Sequence, residues 1–153
     1  MQERACFFIG HRDTGPEVAA GLADAVERHI TEYGVRDFYT GHYGGFDRLA
    51  AQTVLRAKKR HPEVALTCLL PYYPAGRPLM PGFDATFYPP GMEDVPKRFA
   101  IPRANRWMIA HSGYLIACVW RPASNTQGLM EYALSRERRG LLHITNLAGQ
   151  GDG

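Results

Sequence analysis

The chain has 153 residues, 45% of them hydrophobic and 22% charged, the length and balance of one ordinary soluble globular domain with a real core. Its formal charge of +3 is too mild to imply a nucleic-acid partner. Much of the excess sits in the runs at 56–60 and 136–139, in the last turns of predicted helices, where each cation complements the helix dipole by roughly 0.3–1 kcal/mol.

No stretch approaches 18 uninterrupted apolar residues, and no basic segment precedes an apolar one at the start, so neither a membrane span nor a secretory signal is expected. Cys6, Cys68 and Cys118 are odd in number and lack Cys-x-x-Cys spacing. Neither a disulfide framework nor a zinc knuckle is suggested, and a reducing cytoplasm fits best.

In chain order, Ala5–Ile9 is a continuous apolar run ending at Gly10, the pattern of a strand covered on both faces. A helix follows, with Thr14 and Glu17 at capping-box spacing, Pro16 in its first turn and Gly34 as its stop. Val18, Leu22, Val26, Ile30 and Tyr33 form its apolar stripe. Asp37–Thr40 reads as a second strand. The loop Gly41-His42-Tyr43-Gly44-Gly45-Phe46-Asp47 opens a second helix, which must stop by Pro62. Val64–Leu70 is a third strand.

From Pro71 to Pro102 the chain holds eight of its eleven prolines, an irregular excursion with a short strand near Thr86–Tyr88. A segment this long in a compact domain suggests function or a lid, and it leaves a homo-oligomer face open. Arg98–Ser112 reads as a helix, with Pro102 as an alternative start. Tyr114–Trp120 is the strongest strand signal, Ser124–Arg139 a helix stopped by Gly140, and Leu141–Thr145 a last strand. Residues 149–153 are expected to be a disordered tail, leaving one domain over 1–148.

Repeated strand–helix alternation predicts an α/β, Rossmann-like three-layer sandwich with a mostly parallel sheet and right-handed crossovers. Ligands bind such sheets at the strand carboxyl ends, near a topological switch point. Three loops qualify: 10–13, 41–47 and 121–126. The first lacks Gly-x-Gly-x-x-Gly, and Gly41 stands where an acidic ribose ligand would end the second strand, so the usual dehydrogenase reading is disfavoured. No Gly-Lys-Ser or Gly-Lys-Thr is present, which also removes a P-loop.

Gly44 and Gly45, with Asp47 in the following turn, are the best candidates for cradling phosphate on backbone N–H groups. The alternative is a tight turn needing positive φ, with Asp47 as a cap. Ser124 and Gln127 fit a capping box, while Arg12 offers bidentate pairing to phosphate and His11 a hydrogen bond. Tyr43, Phe46 and Tyr72 are candidate base-stacking residues; Trp107 and Tyr114 read as core. His42 and His111 lie near loop ends, but nothing is spaced to complete a metal site, and none is expected.

Four segments carry a resemblance. Phe7–Arg12, the 41–47 loop, Asn105–Ile109 before Ser112–Ala117, and Ser124–Thr126 before Glu131–Ala133 occur in this order. Together they resemble the YpsA-like branch of the SLOG superfamily, which also includes the LOG phosphoribohydrolases and the DprA/Smf recombination mediators. The similarity runs from about Ala5 to Thr145. It implies a Rossmann-like fold whose second-strand glycine loop and last-helix entry bind a nucleotide or nucleotide-derived ligand, and no required cofactor is expected. Gly44, Gly45 and Asp47 match the first ligand-binding motif, and Ser124, Asn125 and Thr126 the second.

The LOG pattern Pro-Gly-Gly-x-Gly-Thr-x-x-Glu is broken here: Arg121–Asn125 replaces the glycine run, and Leu129 stands where the glutamate would be. Glu131 is out of register by more than half a helical turn. The expected ligand-binding set is therefore Gly10, His11, Arg12, Gly41, Gly44, Gly45, Phe46, Asp47, Ser124, Asn125 and Thr126, in a sensor or regulatory protein for NAD, ADP-ribose or a nucleoside monophosphate. The alternatives are a hydrolase of an N-glycosidic or phosphate bond, using Glu131 or Asp47, and a nucleic-acid-associated interaction module.

Overall fold

The computed structural model describes residues 2–73, 78–120 and 125–150. Six parallel strands form one sheet: β1 (Gln2–Gly10), β2 (Asp37–Thr40), β3 (Ala65–Leu69), β4 (Ala85–Phe87), β5 (Ser112–Cys118) and β6 (His143–Asn146), in the order β4-β3-β2-β1-β5-β6. Helices α1 (Ala19–Thr31) and α2 (Gly45–Lys58) cover one face, α3 (Lys97–His111) and α4 (Asn125–Arg138) the other. The α/β sandwich expected from the alternating pattern is present, and its sheet is parallel throughout.

The two-residue period of the strands divides the core. Cys6, Phe8, Phe38, Leu66 and Ile116 pack with α1 and α2, while Phe7, Ile9, Leu69 and Leu115 pack with α3 and α4. Leu22, Val26 and Ile30 are the buried stripe of α1, with Val18 and Tyr33 partly buried at its ends. Cys6, Cys68 and Cys118 are buried free thiols in β1, β3 and β5.

Several expectations are corrected. Thr14 caps no helix: its hydroxyl donates to the His11 carbonyl at 2.8 Å, and a short 3-10 turn at Pro16–Val18 precedes α1. Helix α3 starts at Lys97, directly after Pro96 at its N-cap, and runs through Pro102, which lacks the amide that would bond the Arg98 carbonyl. β5 starts and ends two residues earlier than the apolar run 114–120.

At the other end, Gly140 sits at φ 74 and the Leu141 amide bonds the Arg136 carbonyl at 3.0 Å. Leu141 and Leu142 therefore still belong to the helix stop, and β6 begins only at His143. A short helix α5 (Leu147–Gln150) includes two residues expected in the tail; 151–153 lie outside the described residues.

The proline-rich stretch is packed rather than detached. The Asp84 carboxylate accepts from the Leu66 amide at 2.8 Å and pairs with Lys58, pinning β4 to the sheet edge. Met80 and Phe83 join one core, and Phe87, Met92 and Val95 the other. Among the described residues, no helix is long and apolar enough to cross a membrane.

Candidate functional site

A cavity of about 520 Å³ opens at the carboxyl ends of β1, β2 and β3, roofed by α3 and the first turns of α4. It lies beside the switch point of the sheet, since β1 leads by crossover to β2 on one side and neighbours β5 on the other. Its volume falls in the roughly 300–1,000 Å³ range of small-molecule sites.

The loop after β1 is a closed turn. The His11 carbonyl accepts from both the amide and the hydroxyl of Thr14, while His11 Nε2 accepts from the Trp120 amide at 3.2 Å. His11 is thus buried and fixed, with the acceptor nitrogen tied to the end of β5, although its side chain lines the cavity. Arg12 beside it is exposed, and its guanidinium makes no hydrogen bond or ion pair among the described residues.

The glycines of the second loop are present for close approach, not for positive φ. Gly44 is extended at φ −143, and a Cβ there would lie 3.0 Å from the Arg12 Cα. A Cβ on Gly45 would lie 2.6 Å from the Arg12 carbonyl oxygen, one on Gly10 within 2.3 Å of the Phe46 ring, and one on Gly41 2.9 Å from Asp47 Oδ2. The two loops therefore touch backbone to backbone. The Gly45 amide, expected to be an anion donor, is spent on the Arg12 carbonyl at 2.8 Å. Phe46 is corrected too: it is 1% exposed and packs on Phe8 beneath Gly10, out of reach of any base.

Asp47 turns back over its own loop. Its Oδ2 accepts from the Tyr43 amide at 3.3 Å, with the Gly44 amide and the Thr40 hydroxyl close enough to favour the charged carboxylate, although that hydroxyl donates to the Gly41 carbonyl at 3.3 Å. Asp47 is the third residue of α2, and its carboxylate holds the amide that precedes the N-cap Gly44. Burial pushes the carboxyl up to about 6, against the pull of these hydrogen bonds and of Arg12. Next to it, Cys68 Sγ lies 3.4 Å from His42 Nδ1, but burial and the Asp47 charge hold that thiol up near about 12. The pair is consequently no thiolate nucleophile at neutral pH.

On α4, Thr126 and Leu129 line the cavity, whereas Glu131 is exposed and outside it. Ser124 and the side chains of Asn125 and Gln127 lie outside the described residues. Helix α3 supplies Ile101, Pro102 and Asn105, and Asn105 lies four residues after Ile101 and three after Pro102, beside both on the helix surface. Asn105 was visible in the sequence only as part of the resemblance, because a lone helical asparagine carries no periodic signal. Tyr43 lines the cavity, and Tyr72 sits 6.1 Å from it, ring to ring, under the Lys97 ammonium.

Three polar groups remain uncommitted. The Arg12 guanidinium, Asn105 amide and Thr126 hydroxyl all line the cavity, and none has a hydrogen-bond partner among the described residues. They come from three different segments, the loop after β1, α3 and α4. Among the described residues, no group of three or more His, Cys, Asp or Glu is placed to hold a metal ion. No protein-family model matches the sequence, and comparison with curated proteins finds no match.

Proposed function

We propose that this protein binds a nucleotide-derived ligand, of the NAD, ADP-ribose or nucleoside monophosphate class, and acts as a cytoplasmic sensor or regulator. The observation that carries this reading is the set of uncommitted donors, Arg12, Asn105 and Thr126, on one cavity beside the switch point. A guanidinium with a neutral amide and a hydroxyl suits a phosphate, and Tyr43 offers an aromatic face at the same cavity. The resemblance to the YpsA-like branch of the SLOG superfamily supports the same ligand class. It also supports a small-molecule partner rather than nucleic acid.

A thermal-shift panel with adenosine monophosphate, NAD and ADP-ribose tests it. Binding to the folded state alone raises the melting temperature with ligand concentration. Stabilisation of the wild type that Arg12→Gln removes is the expected result. A melt that no compound moves overturns the reading.

A second reading, hydrolysis of an N-glycosidic or phosphate bond, is favoured by one observation: Asp47 lines the cavity with its carboxyl near 6, suited to proton transfer at neutral pH. Chromatography of the same mixtures after long incubation decides it. Free base or ribose phosphate formed by the wild type and not by Asp47→Asn would promote this reading over simple binding.

A further inference from the structure

The polar groups of the cavity fall into two kinds. Arg12, Asn105 and Thr126 offer uncommitted donors. Asp47 is the opposite: an acceptor that is half-buried and lines the same cavity. Two backbone donors of the glycine loop are already engaged. Tyr43 gives its amide to Asp47, and Gly45 gives its own to the Arg12 carbonyl. The Asp47 carboxylate holds the Tyr43 amide of that loop and lines the cavity, so a phosphate placed against it would be repelled.

A carboxylate held this way has acceptor capacity beyond its loop bonds, since each oxygen takes about two hydrogen bonds. We propose that Asp47 is a specificity residue, reading a neutral hydrogen-bond donor of the ligand while the phosphate lies on Arg12, Asn105 and Thr126. The donor is a sugar hydroxyl or an exocyclic amine, both of which a nucleotide carries. The inference rests on the nucleotide reading above and reverses the polarity expected for the glycine loop: the loop side of the cavity takes the uncharged end of the ligand.

Calorimetric titration tests this with adenosine monophosphate, its 2′-deoxy and 3′-deoxy forms, inosine monophosphate and inorganic phosphate. Asp47→Asn keeps an oxygen for the loop amides but can turn an NH₂ toward the cavity, so donor then meets donor. Its affinity for adenosine monophosphate is expected to fall about tenfold or more, the cost of a lost bond to a charged group. Inorganic phosphate, which uses only the other side, binds it as well as the wild type or better. On the wild type, a similar loss with the deoxy forms assigns the sugar, and one with inosine monophosphate assigns the base.

If Asp47→Asn fails to fold, the analogue series on the wild type decides alone. Adenosine monophosphate binding that neither Asp47→Asn nor any analogue weakens overturns the inference and leaves the nucleotide reading standing. No nucleotide binding by the wild type overturns both.

Discussion

The Gly45 amide donates to the Arg12 carbonyl at 2.8 Å, and a Cβ at position 45 would sit 2.6 Å from that same oxygen. One glycine therefore welds the loop after β1 to the start of α2 and sets where the Arg12 side chain leaves the backbone. The glycine-rich sequence of this loop serves loop-on-loop packing, because an added Cβ at Gly44 or Gly45 would meet the Arg12 backbone.

Gly45→Ala is expected to destabilise the fold by about 1–3 kcal/mol, because its neighbours are backbone oxygens of Arg12 and Thr14 that cannot rotate away. Gly128→Ala is the matched control. It lies within α4 with nothing inside 4 Å of the added Cβ, and should stabilise by roughly 0.5–1 kcal/mol through helix propensity. Urea denaturation of the two variants beside the wild type checks both signs.

Arg12→Gln should change the unfolding free energy little, since the exposed guanidinium makes no hydrogen bond or ion pair among the described residues and gives Asp47 only a minor charge interaction. Its affinity for phosphate-bearing probes should fall about tenfold or more, and Arg12→Lys should recover only part, having a point charge instead of a planar fork. Titrations at several salt concentrations add a second check, because loss of the cation flattens the salt dependence.

Much of this architecture was legible from periodicity. Continuous apolar runs at the strands and the Val18–Tyr33 stripe of α1 give the layers, because a strand covered on both faces is apolar at every position while a helix is apolar on one stripe. The three loops at the strand ends were legible for the same reason, since parallel topology puts them together. What residue type does not reveal is direction. Phe46 and Tyr43 are both aromatic and three residues apart, yet Phe46 lies in the core and Tyr43 faces the cavity. Likewise Gly45 carries an amide whose partner, Arg12, is far away in sequence.

Glu131 and Asp47 were equal candidates for acid–base chemistry by residue type, and the structure separates them. Glu131→Gln should change neither ligand affinity nor any product formation, because its carboxylate lies on the exposed side of α4 while Leu129 faces the cavity. Asp47→Asn should change both if a product is formed at all. Side-by-side incubation with NAD and adenosine monophosphate, read by chromatography, checks the contrast. A loss of product in Glu131→Gln would contradict the assignment.

Asp47 and His29 should give the stability curve two opposing pH slopes. The Asp47 carboxyl is held up at about 6 in the fold against about 3.8 unfolded, so the native state binds the extra proton between these values. Stability from this group is present below about 4 and lost as pH rises through 6, a cost of roughly 3 kcal/mol at neutral pH. His29 runs the other way. Burial lowers it from 6.5 to about 4, its Nδ1–H donates to the Ala25 carbonyl at 2.6 Å, and Nε2 is buried without a partner among Tyr33, Tyr114 and His143. The unfolded chain takes up that proton first, so stability falls as pH drops from 6.5 towards 4, again by about 3 kcal/mol. In the wild type the two nearly cancel. Asp47→Asn should raise stability at pH 7.5 and then lose it steeply on acidification, whereas His29→Phe should gain stability as pH falls from 6.5 to 4.5. Denaturant unfolding of the three proteins across this range measures the slopes, and parallel curves would contradict both assignments.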